Sequence, residues 1–97
     1  KIGNLINEKV WRMPLHKNYD KLMNSKYADV QNINYAGGAG SITAAQFLQK
    51  FIINKTPWVH LDIAGMAFSK KAANINSGGA TGFGVRLLND LLDKFYE

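Results

Sequence analysis

The sequence predicts an α/β fold, because two amphipathic helical segments flank one short β-forming run. Apolar residues recur at helical spacing over about residues 41–53 and 82–95. Between these segments, apolar residues alternate along a run at about 58–63, which is the pattern of a strand. Helices that alternate with a strand favour a layered arrangement. Two clear helices and one or two strands do not, however, make a complete sheet.

The first forty residues predict only short elements. Apolar residues at helical spacing indicate the end of a helix over residues 1–7 and a short helix over about 17–24. Pro14 disfavours the α region for the residue before it, which predicts an extended segment over 10–15. Residues 27–40 are expected to form a loop that ends in a glycine-rich stretch.

The first long helix, at about 41–53, is expected to start directly after that loop. Ser41 is a good N-cap candidate, because its side-chain oxygen can accept a hydrogen bond from the first turn. The apolar face of this helix is Ala44, Phe47, Leu48, Phe51 and Ile52. Asn54 and Pro57 then indicate its end.

The β-forming run at 58–63 ends at the small residues Ala64 and Gly65. Ligands of α/β proteins lie beyond the carboxyl ends of strands. Small residues at that point let another molecule approach the backbone closely. We therefore expect this strand end to form the floor of a pocket.

The second long helix, at about 82–95, follows a stretch over 69–79 that is rich in Asn, Ser, Ala and Gly and is expected to be a flexible loop. Thr81 can cap this helix. Its apolar face is Val85, Leu88, Leu91, Leu92 and Phe95.

Length and composition indicate one modest core, since the chain has 97 residues and 46% of them are hydrophobic. Its start at Lys1, without a methionine, leads us to expect a piece of a longer protein. The chain has no cysteine, which excludes a disulfide framework and a thiolate metal site and fits a cytoplasmic protein. No apolar run approaches the roughly 20 residues that span a bilayer, and no signal peptide opens the chain.

The net charge of +5 makes nucleic acid or an anionic membrane a conceivable partner. The basic residues are dispersed, with Lys70 and Lys71 as the tightest pair, whereas nucleic-acid-binding surfaces are usually clustered. A solvated surface is therefore the favoured interpretation. A basic nucleic-acid-binding or oligomer-assembly module is the alternative, and a DNA affinity that falls steeply with salt would favour it.

Few side chains are placed together in a way that could support catalysis or metal binding. His60 and Asp62 share one face of the predicted strand, where they could bind a metal or act as acid and base. A hydrogen-bonded pair that supports the strand end is the structural alternative. Ser41 and Thr43 have no neighbouring base, so nucleophilic catalysis has no support in the sequence.

Two glycine clusters, at 37–40 and 78–84, precede predicted helices, where exposed N–H groups favour anions. A phosphate-binding P-loop requires a lysine that is missing before Ser41. Leu87 stands at the third glycine position of a dinucleotide fingerprint, so that motif fails as well. Turns and close packing are the favoured interpretation of both clusters.

Five sequence blocks across nearly the whole chain form a more specific pattern than any single motif. They are VWRMPL (10–15), ADVQNI (28–33), AGSITAAQFL (39–48), WVHLDIAG (58–65) and GATGFGVRLL (79–88). In content, order and spacing these blocks resemble the leucyl (cytosol) aminopeptidases. The resemblance implies that residues 1–97 form the C-terminal segment of the catalytic domain, without the N-terminal domain and the metal-binding motifs. It also implies a fragment of a three-layer αβα sandwich with a mixed central sheet.

The resembled family removes N-terminal residues from peptides, preferentially leucine or other apolar residues, at a site that holds two divalent metal ions, Mn or Zn. Its metal ligands and catalytic residues lie in motifs that precede this region. The resemblance therefore implies no catalytic and no metal-binding residue in this chain, and the fragment alone is expected to be inactive. It further implies a cytoplasmic enzyme that acts on peptides and forms a homo-hexamer.

The pocket for the substrate's side chain is the only functional part that the resemblance assigns to this chain. Ile33 resembles the apolar residue that lines the pocket for the substrate's first side chain, and Ala64 and Ala67 resemble further lining residues. This agrees with the small residues beyond the predicted strand. His60 and Asp62 are then expected to be structural support.

Overall fold

Four helices and one short strand pair are found in the computed structural model, which describes residues 1–73 and 75–96. The elements are α1, Ile2–Leu5; α2, Lys17–Asp20; α3, Gly40–Gln49; β1, Phe68–Ser69; β2, Gly79–Ala80; and α4, Val85–Phe95. A 3₁₀ turn over Lys21–Met23 continues α2. The α/β class predicted from the sequence is thus confirmed at this coarse level.

The chain divides into two compact units. The α3 unit comprises residues 12–60, and the α4 unit comprises residues 1–11 and the described residues from 61 onward. The short helices predicted over 1–7 and 17–24 are present as α1 and as α2 with its 3₁₀ turn. None of the helices described is both long enough and apolar enough to cross a membrane.

In the α3 unit, the side chain of Gln46 joins α3 to α2. Its Nε2 atom donates to the backbone oxygen of His16 at 3.0 Å and to the carboxylate of Asp20. His16 also caps α2, because its Nδ1 atom accepts from the backbone N–H of Asn18 at 3.1 Å. The buried apolar side chains of this unit are those of Met23, Ile42 and Ala45.

In the α4 unit, a buried glutamate determines where α4 starts. The carboxylate of Glu8 accepts from the backbone N–H of Leu87 at 2.9 Å and from that of Gly84 at 3.4 Å. This satisfies donors that the helix cannot pair itself, and a negative charge is favourable at a helix N-terminus. Leu87 and Ile2 are buried in this unit, where α1 packs against α4.

The helix predicted over 41–53 is shorter and starts one residue earlier than expected. Ala39 stands at its N-cap with a φ of 48°, and no side chain caps the helix. The prediction that Ser41 is the N-cap is therefore wrong. After Gln49, the backbone N–H groups of residues 50, 51 and 52 each donate to the oxygen three residues earlier, which is the hydrogen-bond pattern of a 3₁₀ turn. Asn54 then takes a left-handed φ of 57°, which ends the helical path.

The helix predicted over 82–95 ends where expected but starts three residues late, at Val85. Gly82 and Gly84 have φ angles of 68° and 101°, a region that glycine enters easily and that interrupts an α-helix. Thr81 is not the N-cap, because its hydroxyl bonds to loop backbone instead. The prediction of Thr81 as the cap is therefore wrong.

The strand predicted at 58–63 is wrong for this chain, since these residues form neither a strand nor a strand pair. The predicted mixed sheet is likewise not formed by the described residues. Their sheet is the antiparallel pair of β1 and β2, in which Phe68 faces Ala80 and Ser69 faces Gly79. A strand is stable only when a neighbour pairs with its backbone N–H and C=O groups.

The stretch predicted as a loop over 69–79 closes a small hairpin instead. Its first and last residues belong to β1 and β2, and the backbones of Ala73 and Asn76 exchange hydrogen bonds of 2.9 and 3.3 Å. Local sequence does not indicate these strands, because each has only two residues and the Gly and Ala of β2 have low β propensity.

Candidate functional site

A cleft of about 330 Å³ lies in the α3 unit, beside the N-terminus of α3. It is lined by residues of the 32–40 loop, by the fully buried Met23 and by Thr43 and Ala44 of α3. Ile33, which was predicted as a pocket residue, is one of the lining residues and is 56% exposed. None of the lining residues is charged. The cleft therefore offers a ligand no charged side chain.

Asn34 holds the loop that lines this cleft. Its Nδ2 atom donates to the backbone oxygens of Gly37 at 3.1 Å and Gly38 at 3.3 Å, and its Oδ1 atom accepts from the N–H of Ala36 at 3.0 Å. Gly37 and Gly38 have φ angles of 79° and 74°, which glycine adopts without strain. The loop next to Ile33 is therefore closed on itself by one amide side chain.

Gln31 anchors the chain just before Ile33. Its backbone N–H donates to the oxygen of Met23 at 2.8 Å, and its Nε2 atom donates to the oxygen of Leu22 at 3.0 Å. These bonds tie the residues ahead of Ile33 to the 3₁₀ turn that ends at Met23. Ile33 is therefore held at the cleft by the hydrogen bonds of Gln31, which precedes it in the chain, and of Asn34, which follows it.

Ala64 and Ala67, the other two predicted pocket residues, lie three residues apart on one turn of the α4 unit. The Asp62 carboxylate accepts from the N–H of Ala64 at 3.1 Å, and the oxygen of Ile63 accepts from the N–H of Met66 at 2.9 Å. Ala64 is exposed and Ala67 is half-buried. The turn presents these small side chains beside Met66, which is 54% exposed, and the place of Ala64 and Ala67 in a pocket stays a prediction.

The backbone at Ala67 is joined to the loop that precedes α4. The N–H of Thr81 donates to the oxygen of Ala67 at 2.9 Å, and the Thr81 hydroxyl donates to the oxygen of Met66. The turn is therefore held by the α4 unit itself. Ile33 belongs to the α3 unit, so the three predicted pocket residues are divided between the two units.

His60 and Asp62 make contacts that orient the local chain. The His60 ring stacks on Trp58, with ring centroids 6.2 Å apart and 27° between the planes. Asp62 accepts from the backbone in the turn described above. These residues form no strand in this structure, so the two side chains do not share a strand face here. Structural support stays a prediction for both residues.

The metal ions implied by the resemblance do not fit the residues described. Nowhere in residues 1–73 and 75–96 do three His, Cys, Asp or Glu side chains group closely enough to hold an ion. The carboxylate of Glu8 is already engaged with the backbone at the start of α4. No chemical step through a metal can therefore be derived from these side chains.

The glycine clusters form turns in part, but Gly79 lies in β2 and Gly40 in α3. The predicted close packing is not found at Gly37, Gly38, Gly82 or Gly84, where a Cβ atom would meet nothing within 4 Å. In the 37–40 cluster, two glycine carbonyls accept from Asn34. In the 78–84 cluster, the N–H of Gly84 donates to Glu8, so a phosphate at this helix start would have to displace a buried carboxylate.

Of the residues that line the cleft, only Ile33 was predicted as a site residue; Met23, Asn34, Thr43 and Ala44 are among the others. Asn34 stands three residues before the pair Gly37–Gly38, and because Asn and Gly are typical turn residues this composition could have identified it. Ala44 was assigned to the apolar face of its helix, but its place beside the 32–40 loop depends on how that loop folds back. Met23 and Thr43 give no such local signal.

In sequence, the chain matches one family of known proteins. A family model described as the catalytic domain of the cytosol aminopeptidase family matches residues 1–89. A probable cytosol aminopeptidase of Ehrlichia ruminantium (strain Gardel) is 60% identical over 98% of this chain. A protein of the same name from Wolbachia pipientis wMel is 58% identical over 98% of this chain. Another, from Rickettsia bellii (strain OSU 85-389), is 51% identical over 100% of this chain. The chain spans only 19 to 20% of the length of these relatives.

Proposed function

This chain belongs to the cytosol aminopeptidase family, and we propose that it is part of a peptidase that removes N-terminal residues, preferentially leucine or other apolar ones, from peptides. The observation that carries the proposal is the 51 to 60% identity, over nearly the whole chain, to relatives named probable cytosol aminopeptidase. Because the chain spans about a fifth of those relatives, the activity is proposed for the whole protein.

Within that protein, the proposed place of residues 1–97 is the C-terminal segment of the catalytic domain. In a complete three-layer αβα sandwich, residues 58–63 would become a strand once neighbouring strands pair with them. The two divalent ions, Mn or Zn, are assigned to ligands elsewhere in the protein, since no group of ligands forms among the residues described here. A cytoplasmic homo-hexamer is the proposed state, and the word cytosol in the relatives' names supports its location.

The proposed role of this segment is to line the pocket for the substrate's side chain with Ile33, Ala64 and Ala67. The support is chemical. Ile33 lies beside a cleft without charged residues, and Ala64 and Ala67 lie on a hydrogen-bonded turn. These three side chains offer apolar surface without a buried charge. An apolar substrate side chain gains about 25 cal/mol for each Å² of surface removed from water. Alanine at position 64 leaves space that a larger residue would fill.

The test is Ala64→Phe in the full-length protein. We expect kcat/KM on a leucyl amide to fall at least about tenfold, which corresponds to about 1.4 kcal/mol of lost transition-state binding. The loss should be smaller on an alanyl amide, since its side chain needs less of the pocket. Steady-state kinetics on both substrates measure this difference.

Ala72→Phe is the matched control, because Ala72 is an exposed alanine of the same unit outside the turn. It should leave both rates within about twofold of the parent protein, as surface substitutions usually do. Unchanged leucyl kinetics in a folded Ala64→Phe variant would refute the assignment of Ala64 to the pocket. An equal loss on both substrates would also contradict it, because that result indicates general damage.

A further inference from the structure

Thr81 makes three hydrogen bonds to backbone beside the proposed pocket residues. Its N–H donates to the oxygen of Ala67 at 2.9 Å, and its hydroxyl donates to the oxygen of Met66. The same hydroxyl accepts from the N–H of Phe83 at 3.2 Å. A threonine hydroxyl can do both, because it has one proton to donate and two lone pairs that accept. The Thr81 hydroxyl therefore joins the turn over residues 64–67 to the loop that leads into α4.

Two further hydrogen bonds of this turn are local. The N–H of Ala64 donates to the Asp62 carboxylate at 3.1 Å, and the N–H of Met66 donates to the oxygen of Ile63 at 2.9 Å. These bonds close the turn, but they do not fix its position relative to other segments. Thr81 lies 15 residues after Met66 and supplies a contact from outside the turn.

The loop that carries Thr81 is itself held on both sides. Directly before it, β2 pairs with β1, and Ala80 faces Phe68 across this pair. After it, the N–H of Gly84 donates to the buried carboxylate of Glu8 at 3.4 Å. A hydroxyl on a loop that is fixed at both ends can set the position of the turn to which it bonds.

We propose that Thr81 is a positioning residue for substrate specificity, which holds the side chains of Ala64 and Ala67 where an apolar side chain of the substrate contacts them. Thr81 acts through the backbone of the turn and does not touch the substrate. The inference rests on the proposed pocket role of Ala64 and Ala67. Small displacements of a pocket wall matter, since one methylene group in an apolar pocket changes kcat/KM by roughly 10–200-fold.

The test is Thr81→Val in the full-length protein. Valine has nearly the shape of threonine but no hydroxyl, so the bonds to Met66 and Phe83 are lost, whereas the backbone N–H of residue 81 can still donate to Ala67. We expect the ratio of kcat/KM on a leucyl amide to kcat/KM on an alanyl amide to fall at least about fivefold, because the larger side chain depends more on the pocket wall. Thr81→Ser keeps a hydroxyl and should retain the parent ratio within about twofold.

Thr56→Val is the matched control, because the Thr56 hydroxyl also donates to a backbone oxygen, that of Ile53 at 2.9 Å, but in the α3 unit. This substitution should leave the ratio within about twofold of the parent protein. Thermal unfolding of each variant shows whether it is folded. Thr81→Ala is the second variant without a hydroxyl, for use if valine prevents folding.

A parent ratio in a folded variant without the hydroxyl would overturn the inference. An equal loss on both amides would also overturn it, because that result indicates general damage, and so would a lowered ratio in Thr81→Ser. Unfolding of both hydroxyl-free variants would assign Thr81 to stability instead of specificity. A parent protein that hydrolyses neither amide would refute the proposed function and this inference with it, whereas an active parent protein and an unchanged ratio would refute the inference alone.

Discussion

At the scale of single residues, Gly3 determines how closely the N-terminal segment can approach α4. A Cβ atom at this position would overlap the backbone oxygen of Glu8 and lie 3.6 Å from the Leu87 side chain. Glu8 and Leu87 are the two residues that fix the start of the helix. The absence of a side chain at Gly3 therefore permits the hydrogen bond that positions α4.

We predict that Gly3→Ala lowers the free energy of unfolding by about 1–3 kcal/mol, the usual range for an added carbon in a close-packed site. Thermal or denaturant unfolding of the full-length protein measures the change. Gly40→Ala is the control, because Gly40 is also helical and a Cβ there meets nothing within 4 Å. Alanine favours a helix over glycine by up to about 1 kcal/mol, so this control should be neutral or stabilising. Equal effects of the two substitutions would show that the close approach at Gly3 is unimportant.

At the scale of elements, α2 and α3 are held together by a polar contact as well as by apolar packing. Gln46 is 1% exposed, and its Nε2 atom bonds to both His16 and Asp20 of the α2 region. Its Oε1 atom is buried without a protein partner among the described residues. The helical pattern places residue 46 in α3, but only the packing of α2 against α3 reveals why it is a glutamine.

Gln46→Ala should therefore destabilise the protein by about 1–3 kcal/mol, because a buried side chain is removed and two partly buried acceptors lose their donor. Gln49→Ala, an exposed glutamine of the same helix, should change stability by less than about 0.5 kcal/mol. Chemical denaturation of the two variants beside the parent protein provides the comparison. If both substitutions had the same small effect, the hydrogen bonds of Gln46 to the α2 region would not contribute to stability.

At the scale of the whole chain, the two units share a shortage of buried apolar side chains. The buried hydrophobic residues described are Ile2, Met23, Ile42, Ala45 and Leu87. Both units expose many larger ones, and the predicted pocket residues are divided between the units. A complete catalytic site is therefore expected only in the longer protein.

We predict that the 97-residue chain alone does not hydrolyse a leucyl amide when supplied with Mn or Zn, because the described residues contain no group of metal ligands. A chromogenic leucyl amide assay, with the full-length protein as the positive control, measures this. Turnover by the chain alone that a chelator abolishes would contradict the prediction.

The sequence by itself determined the family, the helical class of α3 and α4 and the small residues at 64 and 67, because motif order and apolar periodicity are local properties. Tertiary structure decided the rest. The cap of α4 comes from Glu8, which lies 79 residues before Leu87, and no local pattern identifies such a partner. The alternation at 58–63 indicates a strand, but a strand exists only where a neighbour pairs with it, and the described residues supply none.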